Sequence, residues 1–309
     1  MIVAIERIST IIPATDRPAT LDAALAAIRA AAEPPEEIIV VDEPAGRGPA
    51  GARNDGAQRS SGEILVFVDS DVEVHADAFT RIRRAFEAEP DLVAIFGSYD
   101  DDPRAGGIVS DFRNLLHHHV HHAGAGPAAT FWAGLGAVRR DAFVDVGGFD
   151  ESRFPRASIE DIDLGARLHA AGRRITLDPR IQGTHLKRWT LRTMVQTDLL
   201  GRGMPWVELI LSRRAEATAL NLGWRHRSST LASLILLRSI ARRRPRGTLL
   251  GLVMLGALNW SFYRLLLRRR GRLHAAVGVA LHAVHHVSAA AAVPLGVLAH
   301  LRRRLGDRR

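Results

Sequence analysis

The sequence predicts an α/β fold with a mainly parallel mixed sheet, followed by a helical C-terminal region that associates with a membrane. Three observations carry that expectation. Short apolar strands alternate with helix-length segments through the first hundred residues, the pattern of a parallel sheet covered by helices on both faces. The central strand of the series ends in two carboxylates. Beyond about residue 200 the acids almost vanish, and arginine clusters alternate with uncharged apolar runs.

Taken in order, Ile8 to Ile12 reads as the first strand, closed by Pro13, and Ala14-Thr15-Asp16-Arg17-Pro18 leads to a helix whose first turn Pro18 suits. Leu21, Leu25 and Ile28 recur at helical spacing until Pro34-Pro35 stops the pattern. Ile38 to Val41 is a second strand, ending in Asp42-Glu43. The loop Gly46 to Gly51 precedes a short helix bearing Arg53 and Asn54. Ile64 to Val68 is apolar at every position, as strands buried on both faces are, and it runs straight into Asp69-Ser70-Asp71. In open α/β sheets ligands collect beyond the carboxyl ends of strands. Carboxylates at this spacing suit Mg²⁺ or Mn²⁺ that is also held by substrate phosphates. They equally suit the turn before a helix starting near Asp77, since Asp favours turns. Phe79, Ile82 and Phe86 then mark a helix face, and Val93 to Phe96 a further strand.

Composition narrows the classes. Cysteine is absent, so disulfides, zinc thiolates and catalytic thiols are excluded, and a reducing compartment is expected. The net charge of +9 comes from arginine, because Lys187 is the only lysine. The opening apolar residues are interrupted at Glu6 and Arg7, so no cleavable signal peptide is expected. G-x-G-x-x-G does not follow the first strand and no Walker A sequence occurs, which disfavours dinucleotide and P-loop enzymes. A nucleic-acid surface is disfavoured too, because the basic stretches are interleaved with long apolar runs.

Three later stretches bear on chemistry. Ser158-Ile159-Glu160-Asp161 fits a capping box, with Ser158 at the N-cap of a helix whose core face is Leu164, Leu168 and Ala171; a carboxylate in that first turn is also rigidly held and favoured in its charged form. In His117-His118-His119-Val120-His121-His122 only the i, i+4 pairs His117 with His121 and His118 with His122 share a face. The tract therefore reads as an acceptor-side or membrane-facing helix before it reads as a metal site. Thr130 to Ala137 is strand-like, and its glycines permit close backbone approach to a ligand.

Six short motifs then stand in a fixed order: Ile12 to Pro18, Val40-Val41-Asp42-Glu43, Ala52-Arg53-Asn54, Asp69-Ser70-Asp71, Val146-Gly147-Gly148-Phe149-Asp150-Glu151, and Glu160-Asp161-Ile162-Asp163-Leu164. Together they resemble the motif set of the family 2 glycosyltransferases of the GT-A fold, over roughly Ile8 to Trp189. The resemblance implies a metal-dependent, inverting transfer of sugar from a nucleotide-diphosphate donor to a hydroxyl. It implies donor contacts from Pro13, Ala14, Thr15, Asp16, Asp42, Arg53, Asn54, Asp69 and Ser70. Mg²⁺ or Mn²⁺ would be held by Asp69, Asp71 and His185. Asp161 would be the general base, with Glu160 beside it, and Trp132, Gly134 and Glu160 would face the acceptor. Two departures are Asp16, where Asn is commoner, and Glu43, which replaces the second acid of an Asp-Asp pair. A non-catalytic sugar-nucleotide-binding regulator or scaffold at the membrane would carry much of the same pattern.

The last third divides off as a second region, 216–309 after a catalytic region 1–215. Leu231 to Leu237, Thr248 to Tyr263 and Leu273 to Leu301 carry no charge, and only the third is long enough to cross a bilayer. Arginines flank every run, against the positive-inside tendency for a single span. Two arrangements fit: a hairpin over Leu231 to Tyr263 that turns at Arg242 to Gly247, or helices lying in the interface on anionic phospholipid. Leu220-Asn221-Leu222, Asn259 to Arg264 and Leu267 to Arg272 also resemble a membrane-associated subset of the family. That subset implies a catalytic domain on the cytoplasmic face of the cell membrane, acting on a glycan or lipid-linked acceptor.

Overall fold

The computed structural model describes residues 6–212 and 223–306, which divide into two compact units. One holds the described residues up to Asp100 together with His121–Lys187; the other holds Asp101–Val120 and the described residues from Arg188 onward. The boundary expected between 215 and 216, and the Leu220-Asn221-Leu222 motif, lie outside the described residues.

The first unit is built on β1 (Ile8–Pro13), β2 (Glu37–Val41), β3 (Ile64–Val68), β4 (Val72–Val74), β5 (Leu92–Tyr99), β6 (Gly126–Pro127), β7 (Leu135–Arg139) and β8 (Arg174–His185). They form one mixed sheet in the order β2-β1-β3-β7-β5-β8-β4, with β6 paired to β8. The β2-β1-β3 half is parallel, as is β5 with β8, while β7 runs antiparallel between β3 and β5. The helices are α1 (Leu21–Arg29), α2 (Pro49–Arg59), α3 (Ala78–Ala88), α4 (Ile108–Ala123, within which the two units meet along the chain), α5 (Arg140–Asp145) and α6 (Glu160–Ala170). β3 is buried throughout, and Phe67 sits between Phe143 and the edge-on Phe149, 5.6 and 5.1 Å away. Rings packed at these distances add to the area they bury.

The strands read from apolar runs lie where expected, and the differences have physical reasons. Pro18 falls in the turn before α1, which starts only at Leu21. Of Thr130 to Ala137 only the part from Leu135 is strand; the rest is a turn. Asp69-Ser70-Asp71 leads not to a helix but to β4, at the far edge of the sheet. β8 was not legible because Asp178-Pro179-Arg180 interrupts its alternation of buried and half-exposed positions.

In the second unit α7 (Leu191–Gln196), a π-helical stretch (Thr197–Gly203), α8 (Met204–Leu211), α9 (Trp224–Ala241), α10 (Pro245–Leu258) and α11 (Trp260–Gly306) bury Phe112, Leu115, Met194, Ala232, Leu255, Phe262, Leu266 and Leu281. α9 and α10 form a helical hairpin that turns at Arg242 to Arg244, where Arg243 takes a left-handed φ of 52°. Leu236 packs onto Gly251, where a Cβ would come within 2.8 Å. α11 is broken at Gly271, whose φ of 82° suits glycine.

One ion pair ties β4 to β5: His75 Nε2 lies 2.9 Å from Asp100 Oδ2. That hydrogen bond raises the His75 imidazole above its ordinary 6.5, against the effect of burial. A raised folded value stabilises the fold below the unfolded pKa and ceases to do so as pH rises through the folded one. His75→Gln should therefore lower the thermal midpoint more at about pH 6 than at about pH 8, measured by differential scanning fluorimetry at both.

Candidate active site

The site forms where four chain segments of the sheet-containing unit meet. α2 places Arg53 beneath the end of β3. Its Nη2 donates to Asp69 Oδ1 at 2.6 Å and its Nη1 to Glu160 Oε1 at 2.9 Å, while the guanidinium lies 5.4 Å from the centre of the Phe149 ring. Only 4% of Arg53 is exposed. Burial works against its charge, but Asp69, Glu160 and Asp161 more than offset it and raise the pKa. A guanidinium is the cation suited to this position, because its planar fork serves two carboxylates at once.

The same arginine ties the Asp-Ser-Asp turn to the first turn of α6. A second link runs through residues 133 and 134: Ala133 N–H donates to Asp161 Oδ2 at 3.2 Å, and Asp69 N–H donates to Gly134 O at 3.1 Å. Asp161 Oδ1 accepts from Ile162 N–H at 2.8 Å, so both its oxygens are oriented. Close approach makes this possible. A Cβ on Gly165 would lie 2.2 Å from the backbone nitrogen of Phe131, so α6 seats directly on that turn.

The capping box is not formed. The N-cap of α6 is Ile159, without a side-chain cap, and the Ser158 N–H donates to Glu160 Oε2 at 2.9 Å. Asp161, the third residue after Ser158 in that pattern, turns its Oδ2 to Ala133 N–H instead, while Glu160 turns inward to Arg53.

Asp71 lies toward the other wall. Its Oδ2 is 3.5 Å from His185 Nε2, and His185 stacks on Tyr99 at 4.2 Å with the rings nearly parallel. Burial raises the Asp71 carboxyl, but His185 and Lys187 together bring it below the ordinary value. Asp69 goes the other way: burial and the charges of Asp71 and Glu160 outweigh Arg53. Three acids, Asp69, Glu160 and Asp161, thus face one buried guanidinium, and the carboxylates of Asp69 and Asp71 with the His185 imidazole are a donor set that fits Mg²⁺ or Mn²⁺.

The other expected donor residues gather at the ends of β1 and β2. Thr15 Oγ1 donates to Arg47 O, Gly46 N–H to Thr15 O at 3.2 Å, and Ala14 N–H to Val41 O at 2.9 Å. Pro13 and Ala14 are buried, whereas Asp16 and Asp42 are exposed. Glu43 pairs with Arg17. Two expectations change. Asn54 gives both ends of its amide to the backbone of Phe149, at 2.8 and 2.9 Å, and so holds the Gly147-Gly148 turn where Gly148 has a φ of 64°. Trp132 is 8% exposed and packed edge-on against Tyr99 and His121, which leaves little face for a sugar.

Sequence reasoning gave no role to Asp163 and Arg167, which the structure does. Asp163, fully buried, accepts from Arg167 Nε at 2.8 Å, and the arginine donates to Val146 O and Gly148 O at 2.6 and 2.7 Å. The available signal was the spacing Asp163-x-x-x-Arg167 within a helix, since i, i+4 residues are neighbours. The histidine tract disperses: His121 Nδ1 lies 2.9 Å from Gly97 O, His122 lies 3.3 Å from Gln182, and His119 packs near Phe262.

Residues 43–147 match the family described as Glycosyl transferase family 2. Two pre-mycofactocin glycosyltransferases of Mycobacterium tuberculosis are 28% identical over 171 residues, which is 52% of this chain; the chain spans only about a third of their length, 34%. Among solved structures, the mannosyltransferase PcManGT from Pyrobaculum calidifontis, in complex with GDP-Man and Mn²⁺, superposes with a TM-score of 0.53 at 17% identity, covering 93% of this chain and 87% of that one. That likeness establishes the fold.

Arg53→Ala leaves Asp69 and Glu160 unpaired in a buried site, and should destabilise the protein by roughly 3–5 kcal/mol, read from urea unfolding followed by circular dichroism. Arg53→Lys should recover part of that loss, since one ammonium cannot serve both acids with a fork's geometry.

Proposed function

We propose that this chain carries a family 2 glycosyltransferase domain, a reading supported by the match over residues 43–147 and the GT-A fold, and that it is an inverting glycosyltransferase. It takes sugar from a nucleotide-diphosphate donor to a hydroxyl of a glycan or lipid-linked acceptor at a membrane. The observation that carries this reading is Arg53 bridging Asp69 and Glu160, which joins the Asp-Ser-Asp turn and the Glu-Asp helix start into one site.

Asp69, Asp71 and His185 would hold Mg²⁺ or Mn²⁺, and such an ion supplies Lewis-acid stabilisation of the leaving diphosphate. Lys187, exposed beside Asp71, adds positive charge on the same side. Thr15 and Asp42 at the ends of β1 and β2 receive the nucleoside. Arg53 acts as a positioning residue, keeping Asp69 and Glu160 in register. Asp161 accepts the proton of the incoming hydroxyl on the face away from the diphosphate, and displacement from that face inverts the anomeric centre. The mannosyltransferase neighbour is described with a guanosine-diphosphate sugar and Mn²⁺, which makes those the first donor and ion to try.

Membrane association rests on the helical unit. α9 exposes Leu231, Leu234, Leu237 and Ile240, and α10 exposes Leu249, Leu250 and Val253, beside arginines at the hairpin turn. Among the described residues one helix, Trp260–Arg303, has the length and apolar composition to cross a bilayer. Contiguous apolar surface rimmed by cations fits the interface of an anionic membrane, with the catalytic unit on the cytoplasmic face.

The test is release of nucleoside diphosphate from a panel of sugar nucleotides with Mn²⁺, with and without EDTA, using detergent-purified protein. Asp161→Asn should keep donor binding and lose about 10²- to 10⁴-fold in turnover, whereas Asp71→Ala should lose metal-dependent donor binding itself. Tight nucleotide binding with neither transfer nor hydrolysis for any donor would establish a non-catalytic binder instead. For the membrane, Leu249→Asn with Val253→Asn should reduce co-sedimentation with anionic vesicles; unchanged sedimentation would remove this face from the proposal.

A further inference from the structure

A second group of histidines converges in the helical unit. His226 lies in the first turn of α9, and His282, His285 and His286 lie along α11. The ligand nitrogens of His226, His285 and His286 all lie within 4.8 Å of one another, and His285 and His286 are buried. A tetrahedral ion bound at ~2.0–2.1 Å needs nitrogens about 3.4 Å apart, which small side-chain rotations from this arrangement would provide.

Two further observations point to a ligand. The Nε2 of His286 is buried and has no hydrogen-bond partner, and its Nδ1 has only Thr230 Oγ1 at 3.5 Å. An orphaned buried polar atom is costly, and native proteins seldom leave one without cause. His285 is oriented from behind: its Nδ1 lies 2.7 Å from Asp198 Oδ2, while Asp198 Oδ1 accepts from Arg113 Nη1 at 2.8 Å. A histidine whose Nδ1 is fixed by a carboxylate offers Nε2 to a metal, the arrangement found behind most histidine ligands. His282 takes no part as a ligand here; its Nδ1 lies 3.0 Å from the Tyr263 hydroxyl and its ring stacks on His286 at 4.4 Å.

We propose that His226, His285 and His286 bind one divalent transition-metal ion of the zinc type, with Asp198 holding His285 in the ligating tautomer. Imidazole donors select borderline ions of this kind over Mg²⁺ or Mn²⁺, so the site differs in chemistry from the oxygen-rich donor site. Three protein ligands leave a fourth position for water or a ligand group. The ion cross-links the start of α9 to the middle of α11 and stabilises the helical unit.

The experiment uses full-length, tag-free protein in detergent, stripped with chelator and titrated with Co²⁺ as a spectroscopic probe. Wild type should take up about one equivalent with the intense visible absorption of tetrahedral Co²⁺, displaced by Zn²⁺. His286→Gln and His226→Gln, acting from different helices, should each abolish the band while matching the circular dichroism of chelated wild type. Asp198→Asn should weaken binding ~10- to 100-fold without abolishing it. Asp71→Ala, which disables the donor site, should leave the band unchanged, so the two metal readings stand or fall separately. Absence of the band in wild type overturns the proposal; so does its persistence in both histidine variants, or its loss on replacing His118 and His122.

Discussion

The sheet-containing unit depends on the burial of one guanidinium between two carboxylates. Arg53 lies in the interior with Asp69 on one side and Glu160 on the other, residues separated by more than ninety positions in the chain. Removing one member of such a group leaves uncompensated charge in a low-dielectric setting, which is far costlier than losing a surface pair. The bridge therefore ties the first turn of α6 to the Asp-Ser-Asp turn. It also explains why the acids can be so crowded: one internal cation offsets part of the repulsion.

Around that bridge, a second layer of arginine fixes the loops. Arg167, anchored by the fully buried Asp163, reaches the carbonyls of Val146 and Gly148, and Asn54 grips Phe149 from the opposite side. The turn that carries two left-handed glycines is thus held at both ends by side chains that also belong to α2 and α6. Loops secured in this way hold functional groups with the precision expected of elements.

Much of this was legible in the sequence, for identifiable reasons. β3 announced itself because all five residues are apolar and two acids follow, and the ordered motifs gave Arg53, Asp69, Asp71 and Asp161 as a set before any geometry was known. What the sequence hid is which partner each side chain takes. Nothing local distinguishes Asn54 as a loop clamp from Asn54 as a donor contact, since its partners lie 95 residues away. Ser158 and Asp161 fit a capping box by spacing, but the N-cap is Ile159 and Asp161 accepts from Ala133 and Ile162 instead. Trp132 is buried because Tyr99 and His121 arrive from other elements. β8 escaped notice because its alternation breaks at Pro179. The histidines that converge were likewise split between residue 226 and the 282–286 stretch, whereas the conspicuous tract at 117–122 disperses among unrelated partners.

The near-exclusive use of arginine gives the molecule an unusual chemical selectivity. Its single lysine side chain, Lys187, is exposed next to Asp71, so reagents that acylate lysine amines have one side-chain target in the whole protein, and that target borders the acid cluster. A fluorophore or crosslinker introduced there would report on whatever enters the site, without any engineered cysteine. Everywhere else the positive surface is guanidinium, which keeps its charge at any pH the fold survives and stays invisible to the same chemistry.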